Sequence, residues 1–154
     1  MNFKKFSKEQ ALPQVKQFCV YRERCHSEVK EKLYSYGLYK NDVEQLMAQL
    51  IEENYLNEER FAKQYAGGKF RMNQWGRVKI KYALRQKQVS EYSIKKGLKE
   101  ISEPDYKKTL QKLAEQKLKT LKNDNVLSKK KKLQDYLLQK GYEGELVREV
   151  VNNL

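Results

Sequence analysis

A helix-stopping tripeptide recurs three times along this chain of 154 residues: Tyr36-Gly37-Leu38, Lys87-Gln88-Val89 and Lys140-Gly141-Tyr142, spaced 51 and then 53 residues apart. The likeness extends to both sides. Leu33, Leu84 and Leu137 stand four residues before the stops, Val29, Ile80 and Leu133 eight before, and Val43, Ile94 and Val147 six after. Apolar residues four and eight positions before a stop share one helix face, so each copy reads as two short helices joined at the stop and preceded by a longer one. A triplet that thin cannot bury its apolar face alone; a neighbouring copy must cover it. The expected fold is all-α: three tandem three-helix repeats stacked into an elongated, curved body. Residues 1–54 form the first repeat with an N-terminal extension, 55–102 the middle repeat and 103–154 the third. A compact single-core helical bundle is the competing arrangement.

The individual helices can be read from their stripes and ends. Val43, Leu46, Met47, Leu50 and Ile51 form one continuous apolar stripe. Phe61, Ala62, Tyr65 and Ala66 mark another, opened by Asn57 as N-cap with Glu58 and Glu59 at the positive end of the helix dipole. Ser90 stands in the same way before Ile94, Leu98 and Ile101. Tyr106, Leu110, Leu113, Lys117 and Leu121 follow one face of a longer helix that tolerates Pro104 in its first turn, and Pro13 is expected to open the first helix likewise. Gly37 and Gly141 suit a left-handed helix ending. Gly67-Gly68 inside a helix costs about 1 kcal/mol per residue relative to Ala, which a close helix crossing there would offset. No segment sustains the two-residue alternation of a strand.

Thirty-three Lys and Arg against 20 acids leave a net charge of +13, and such an excess calls for an anionic partner. It is concentrated in the middle of the chain. Residues 69 to 89 hold seven cations and no Asp or Glu. Lys69, Arg71, Arg77, Lys79, Lys81, Arg85 and Lys87 are therefore the candidate contacts to a nucleic acid or nucleoprotein. On a helix, Arg77, Lys81 and Arg85 recur every fourth residue as a solvent-facing stripe flanking the buried Ile80, Ala83 and Leu84. A four-residue step rises about 6 Å, near the spacing of successive phosphates. Lys69 and Arg71 also suit the negative end of the preceding helix. Trp75, beside Gly76, reads as an inter-helix wedge or as a stacking platform. Lys129, Lys130, Lys131 and Lys132 form a secondary basic tract, which reads equally as a solvated helix face or as a further contact to the anionic partner.

Other classes find little support. No apolar run approaches the roughly 20 residues that cross a bilayer, and the opening MNFKKFSKEQ lacks the apolar core of a signal peptide, so no membrane association and a cytoplasmic location are expected. Cys19, Cys25 and the single His26 fall short of a four-ligand zinc site, and free thiols are expected. Neither a Ser-His-Asp nor a Cys-His pattern is present, and His26 reads as a surface or helix-start residue. Adjacent carboxylates such as Glu52-Glu53 or Glu58-Glu59 point about 100° apart on a helix and suit solvated helix ends better than one shared metal ion. There is no phosphate-binding Gly-rich loop. The chain is expected to be neither an enzyme nor a cofactor carrier.

Leu56-Asn57-Glu58-Glu59-Arg60-Phe61-Ala62, Tyr65, Gly76-Arg77-Val78-Lys79-Ile80 and Leu84 with Lys87-Gln88-Val89 together resemble the central signature of the RecX family, bacterial regulators of the RecA recombinase. Glu28-Val29, Lys32-Leu33 and Gly37 resemble that family's first repeat and Lys140-Gly141-Tyr142 its third. The chain departs from the family's common pattern at Cys25, Ala83 and Gln88, where a small hydroxyl residue, an acid and a Gly are usual. The resemblance implies three three-helix repeats and a regulator that binds RecA filaments on single-stranded DNA and restrains strand exchange and ATP hydrolysis; a monomer is expected. The alternative is a general single-stranded nucleic-acid-binding module without a specific protein partner.

Overall fold

The three recurring stops end helices with their central residue in the left-handed region: φ is 85° at Gly37, 63° at Gln88 and 101° at Gly141. Each central amide donates to the carbonyl three residues back, Gly37 to Tyr34, Gln88 to Arg85 and Gly141 to Leu138, at 2.9 to 3.0 Å. Gln88 adopts the turn without a glycine's freedom, and the Val89 amide beyond it closes the helix end by donating to the Leu84 carbonyl at 3.1 Å. Asn54 and Gln74, at 63° and 58°, stop two further helices in the same way.

The computed structural model describes residues 5–122 and 124–154. Among these it has nine α-helices and no strand: α1 Lys8–Tyr21, α2 His26–Ser35, α3 Lys40–Glu52, α4 Glu58–Asn73, α5 Arg77–Gln86, α6 Glu91–Leu98, α7 Glu103–Lys119, α8 Val126–Gln139 and α9 Gly144–Asn152. The helix starts follow local capping chemistry. Asn57 Oδ1 accepts from the Arg60 amide at 2.9 Å, Ser90 Oγ from Ser93 at 3.3 Å and Ser102 Oγ from Asp105 at 3.3 Å. Pro13 does not open α1; Ser7 does, through a capping box with Gln10, and Pro13 lies inside the helix. The box satisfies amides that a proline at the start would merely have removed.

The chain divides into two compact units. One comprises the residues through Gln64 together with Leu84–Gly97, and the other Tyr65–Ala83 with Leu98–Leu154. In the first, α1, α2 and α3 pack on one another around Ala11, Val15, Val29, Leu33, Val43, Leu46, Leu50 and Leu56. Gly97 of α6 lies so close to the Ala62 backbone of α4 that a Cβ would come within 2.6 Å of its carbonyl oxygen. That is the close crossing expected at Gly67-Gly68, relocated. A Cβ at Gly68 would meet open space, and one at Gly67 only the guanidinium of Arg71. In the second unit α7, α8 and α9 pack together. Tyr106, Leu110, Leu113, Leu133, Leu137, Tyr142 and Val147 are buried there, as is Ile80. All nine apolar positions that flank the repeated stops are buried, none more than 1% exposed. Each such side chain contributes about 1.5 to 3 kcal/mol of transfer free energy, so the repeat pattern is the pattern of the cores. Among the described residues no helix is long and apolar enough to cross a membrane. Cys19 and Cys25 are buried free thiols.

Candidate nucleic-acid interface

The turn that joins α4 to α5 gathers much of the basic stretch in the second unit. After Asn73, the left-handed Gln74 donates its amide to the Phe70 carbonyl at 3.0 Å, and the Trp75 amide donates to Lys69 at 3.2 Å. This folds Trp75 back over the end of α4. Its half-buried indole has the Lys69 ammonium 4.8 Å from the ring centroid and the Lys79 ammonium 4.7 Å away. Each contact is worth about 0.5 to 1 kcal/mol near a surface, but the two cations sharing one ring repel each other. An anion placed near both would relieve that repulsion. Arg71 is exposed and Lys81 half-buried. Lys69, Arg71, Lys79 and Lys81 form no ion pair among the described residues.

Arg77 is placed differently. The expectation of a solvent-facing stripe of Arg77, Lys81 and Arg85 fails at its first member, whose side chain is 22% exposed and points into the second unit. Its Nε donates to Glu143 Oε2 at 2.9 Å, its Nη2 lies 2.8 Å from the same oxygen, and Nη1 bonds Glu103. The guanidinium stacks 3.9 Å from the centroid of the Tyr106 ring. The Tyr106 hydroxyl accepts from the Arg77 amide at 2.9 Å and donates to Glu143. Burial works against the charge on Arg77, yet Glu103, Glu143 and Tyr106 outweigh it and raise its pKa above the ordinary arginine value. Arg77 in turn holds the Glu103 carboxyl below the usual range. Burial, then the bond to Glu143, pushes the Tyr106 hydroxyl far above the usual phenol value. Arg77 thus clamps the start of α5 onto α7 and the start of α9. Nothing in the local sequence marks this, since the two acids lie 26 and 66 residues downstream.

The backbone completes the clamp. The Gly76 and Val78 amides donate to the carbonyls of Lys140 and Gly141 at 2.8 and 2.9 Å, so the free amides at the start of α5 satisfy the free carbonyls at the end of α8. A Cβ on Gly76 would collide with the Gly141 carbonyl, so only glycine allows this approach. Lys140 Nζ donates to the Asn73 carbonyl and the Tyr142 hydroxyl to the Gln74 carbonyl, both at 3.0 Å.

Arg85 and Lys87 belong to the first unit. Arg85 bonds both oxygens of Glu91, at 2.7 and 3.2 Å. The carbonyl of Lys87 accepts from Ser27 Oγ at 2.9 Å. Glu58 is not a solvated helix end: it accepts from the Ser90 amide at 3.2 Å and from the Ser90 hydroxyl. In the secondary tract, Lys132 lies 2.8 Å from Asp124 and Lys131 3.9 Å from Asp135, whereas Lys129 and Lys130 form no ion pair among the described residues. Among those residues no group of three or more His, Cys, Asp or Glu is arranged to hold a metal ion.

Two family models match this chain. One, described as the second three-helix domain of RecX, matches residues 57–98, and one described as the third three-helix domain of RecX matches residues 105–151. The chain belongs to the RecX family. Together the two models take in α4 to α6 and nearly all of α7 to α9. A Clostridium perfringens protein named Regulatory protein RecX is 36% identical over 136 residues, which cover 84% of this chain and 63% of the relative. Proteins of the same name from Bacillus cytotoxicus and Prosthecochloris aestuarii are 25% and 27% identical, over 91% and 86% of this chain and 52% and 85% of their own lengths. The chain thus spans about half the length of the Bacillus relative. The crystal structure of RecX from Lactobacillus salivarius superposes with a TM-score of 0.88 at 20% identity over 96% of both chains. A second RecX crystal structure superposes at 0.85 and 21% identity, over 96% of this chain and 73% of its own. These two likenesses extend the RecX fold to α1, α2 and α3.

Proposed function

We propose that this chain is a regulator of the RecA recombinase that binds the recombinase filament on single-stranded DNA and restrains strand exchange and ATP hydrolysis. Membership of the RecX family and the name Regulatory protein RecX carried by its relatives support the regulatory role. The observation that carries the nucleic-acid contact is the turn between α4 and α5, where Lys69 and Lys79 flank one indole and, among the described residues, form no ion pair with an acid. Lys69, Arg71, Lys79 and Lys81 are the phosphate contacts on this reading. Arg77 sets the orientation of α5, and Arg85 is held by Glu91. Charges already paired to acids release fewer counterions on binding and add less to affinity.

The regulator acts on a partner's ATPase site, not through chemistry of its own. Several weak contacts on one body multiply in effect, so inhibition is expected below one copy per recombinase subunit. The test is to titrate the protein against preformed RecA filaments, following DNA-dependent ATP hydrolysis with and without excess bare single strand. Inhibition that persists under competition supports filament binding, and inhibition abolished by the competitor leaves only a general single-strand binder. Changing Lys69 and Lys79 together to Gln is expected to lower the log-log salt slope of single-strand binding by about 0.7 for each phosphate no longer neutralised. An unchanged slope would remove this turn as the nucleic-acid site.

A further inference from the structure

The second unit carries a groove that the nucleic-acid reading does not use. Its floor is Leu118 of α7, Leu133 of α8, and Val151 and Leu154 at the end of the chain, and its volume is about 200 Å³. Val126, 70% exposed, stands at its edge, and the neighbouring Leu127 is 83% exposed. Lys129 and Lys130 complete the rim. They are the two lysines of the tract without an ion pair among the described residues, while Lys131 and Lys132, away from the groove, face Asp135 and Asp124. The positive end of α8 opens at the same edge, its N-cap Asn125 accepting from the Ser128 amide at 2.8 Å.

We propose that this groove docks a short acidic segment of a partner protein, an amphipathic helix whose apolar side chains enter the groove while its carboxylates meet Lys129 and Lys130. The floor is wholly aliphatic. A nucleic-acid strand would gain two phosphate contacts there but no aromatic surface on which to stack a base. A protein helix gains burial of apolar side chains on the floor and opposite charge on the rim, the arrangement by which amphipathic helices bind grooves. Charge complementarity selects an acidic segment, because Lys129 and Lys130 at this edge form no ion pair among the described residues. The inference is independent of the role assigned to Lys69 and Lys79.

Fluorescence polarisation on the full chain tests it. The probe is a fluorescein-labelled synthetic helical peptide with leucines on one face and glutamates on the other. Its controls are the same peptide with glutamine for every glutamate, the same peptide with serine for every leucine, and labelled oligothymidylate. The acidic leucine peptide is expected to bind and both altered peptides to bind far more weakly. Lys129→Glu with Lys130→Glu should weaken peptide binding about tenfold while leaving oligothymidylate affinity within about twofold. Val126→Ser, at an exposed position that does not threaten folding, should also weaken the peptide. Lys69→Gln with Lys79→Gln should leave peptide binding unchanged, so failure of one site is separable from failure of the other. The proposal is overturned if the glutamine or serine peptide binds as well as the acidic leucine one. It is equally overturned if the Lys129 and Lys130 changes weaken oligothymidylate as much as peptide, which would make the tract a nucleic-acid site. Sedimentation equilibrium showing a dimer that Val126→Ser dissociates would assign the groove to a second copy of the chain and also overturn it.

Discussion

Each of the two compact units contains a version of the same junction, in which the start of one short helix meets the stop of the next repeat. In the first unit the start of α2 meets the stop at Lys87-Gln88-Val89; in the second the start of α5 meets the stop at Lys140-Gly141-Tyr142. The positions correspond by the repeat: Cys25 to Gly76, His26 to Arg77, Ser27 to Val78, and Ser90 to Glu143. Glu58 and Glu103 occupy the same place, the first residue of α4 and of α7. The first junction is held by hydroxyls, Ser27 Oγ bonding the Lys87 carbonyl and Ser90 bonding Glu58. The second is held by backbone amides at hydrogen-bonding distance and by the pairing of Arg77 with Glu103 and Glu143. The same scaffold thus tolerates two solutions, one with a side chain at its tightest point and one with none. It also shows why a cation in a basic stretch need not touch a ligand, since at this position the second junction uses its arginine internally.

Gly76→Ala should expose the difference most strongly. The new Cβ would collide with the Gly141 carbonyl oxygen and lie 2.5 Å from the Tyr142 nitrogen, backbone that cannot step aside as a flexible side chain would. A drop of about 3 kcal/mol is therefore expected from urea unfolding. Cys25→Ala, at the matching position of the first junction, should cost about 1 kcal/mol, because a side chain is already accommodated there. Equal effects would mean that the two junctions are not equivalent positions of one repeat.

Arg77→Ala comes next, at about 2 kcal/mol, since it takes the guanidinium away from Glu143, from Glu103 and from the face of the Tyr106 ring. Lysine should restore less than half of that, because an ammonium cannot bridge Glu103 and Glu143 and stack on Tyr106 as the planar guanidinium does. His26→Ala should stay within about 0.5 kcal/mol. A neutral Arg77→Ala would return Arg77 to the free cations and restore the solvent-facing stripe read from the sequence.

At the stops themselves the sign reverses. Gln88→Gly should stabilise the chain by about 1 kcal/mol, because a non-glycine residue at positive φ carries a steric cost. Gly37→Ala, at φ 85°, should destabilise by a similar amount, about 1 kcal/mol. Thermal melts of the two variants side by side check both signs.

Acid sensitivity is the smallest expected difference. Burial opposes the charge on Glu58, but hydrogen bonds from Ser90 and Ser93 outweigh it and hold its pKa below the ordinary glutamate value. A group whose pKa is depressed in the folded state adds stability above its unfolded pKa and loses it as pH falls through the folded value. The urea midpoint should therefore drop on acidification through and below the ordinary glutamate range, and drop less in Glu58→Gln. An identical pH profile for the variant would show that the first junction does not depend on this carboxylate.

Much of the fold was legible because the rules that produce it are local. Helix stripes need only neighbours three and four residues away, and N-caps such as Asn57, Ser90 and Ser102 act within three residues. The stops could be found by period even where Gln88 stands in a glycine's place. Where reading failed, the competing interaction was distant or chemically ambiguous. Pro13 could start a helix, but Ser7 with Gln10 made the better cap. Gly67-Gly68 pointed to a close crossing that belongs to Gly97 and Ala62, because a glycine pair records missing side chains and not which helix approaches.

The candidate site divides along the same line. The sequence by itself determined that the described residues would form nine helices, that the nine apolar positions flanking the three stops would be buried though Ile51 of the α3 stripe is 46% exposed, and that residues 69 to 89 would carry seven cations and no acid. Only the tertiary structure decided which of those cations remain available. Glu103 and Glu143 reach Arg77 from 26 and 66 residues away, and Gly76 matters because Gly141 lies against it. Helix formation and burial follow from periodicities within a few residues, whereas the availability of a charge depends on which opposite charge the fold brings within hydrogen-bonding distance.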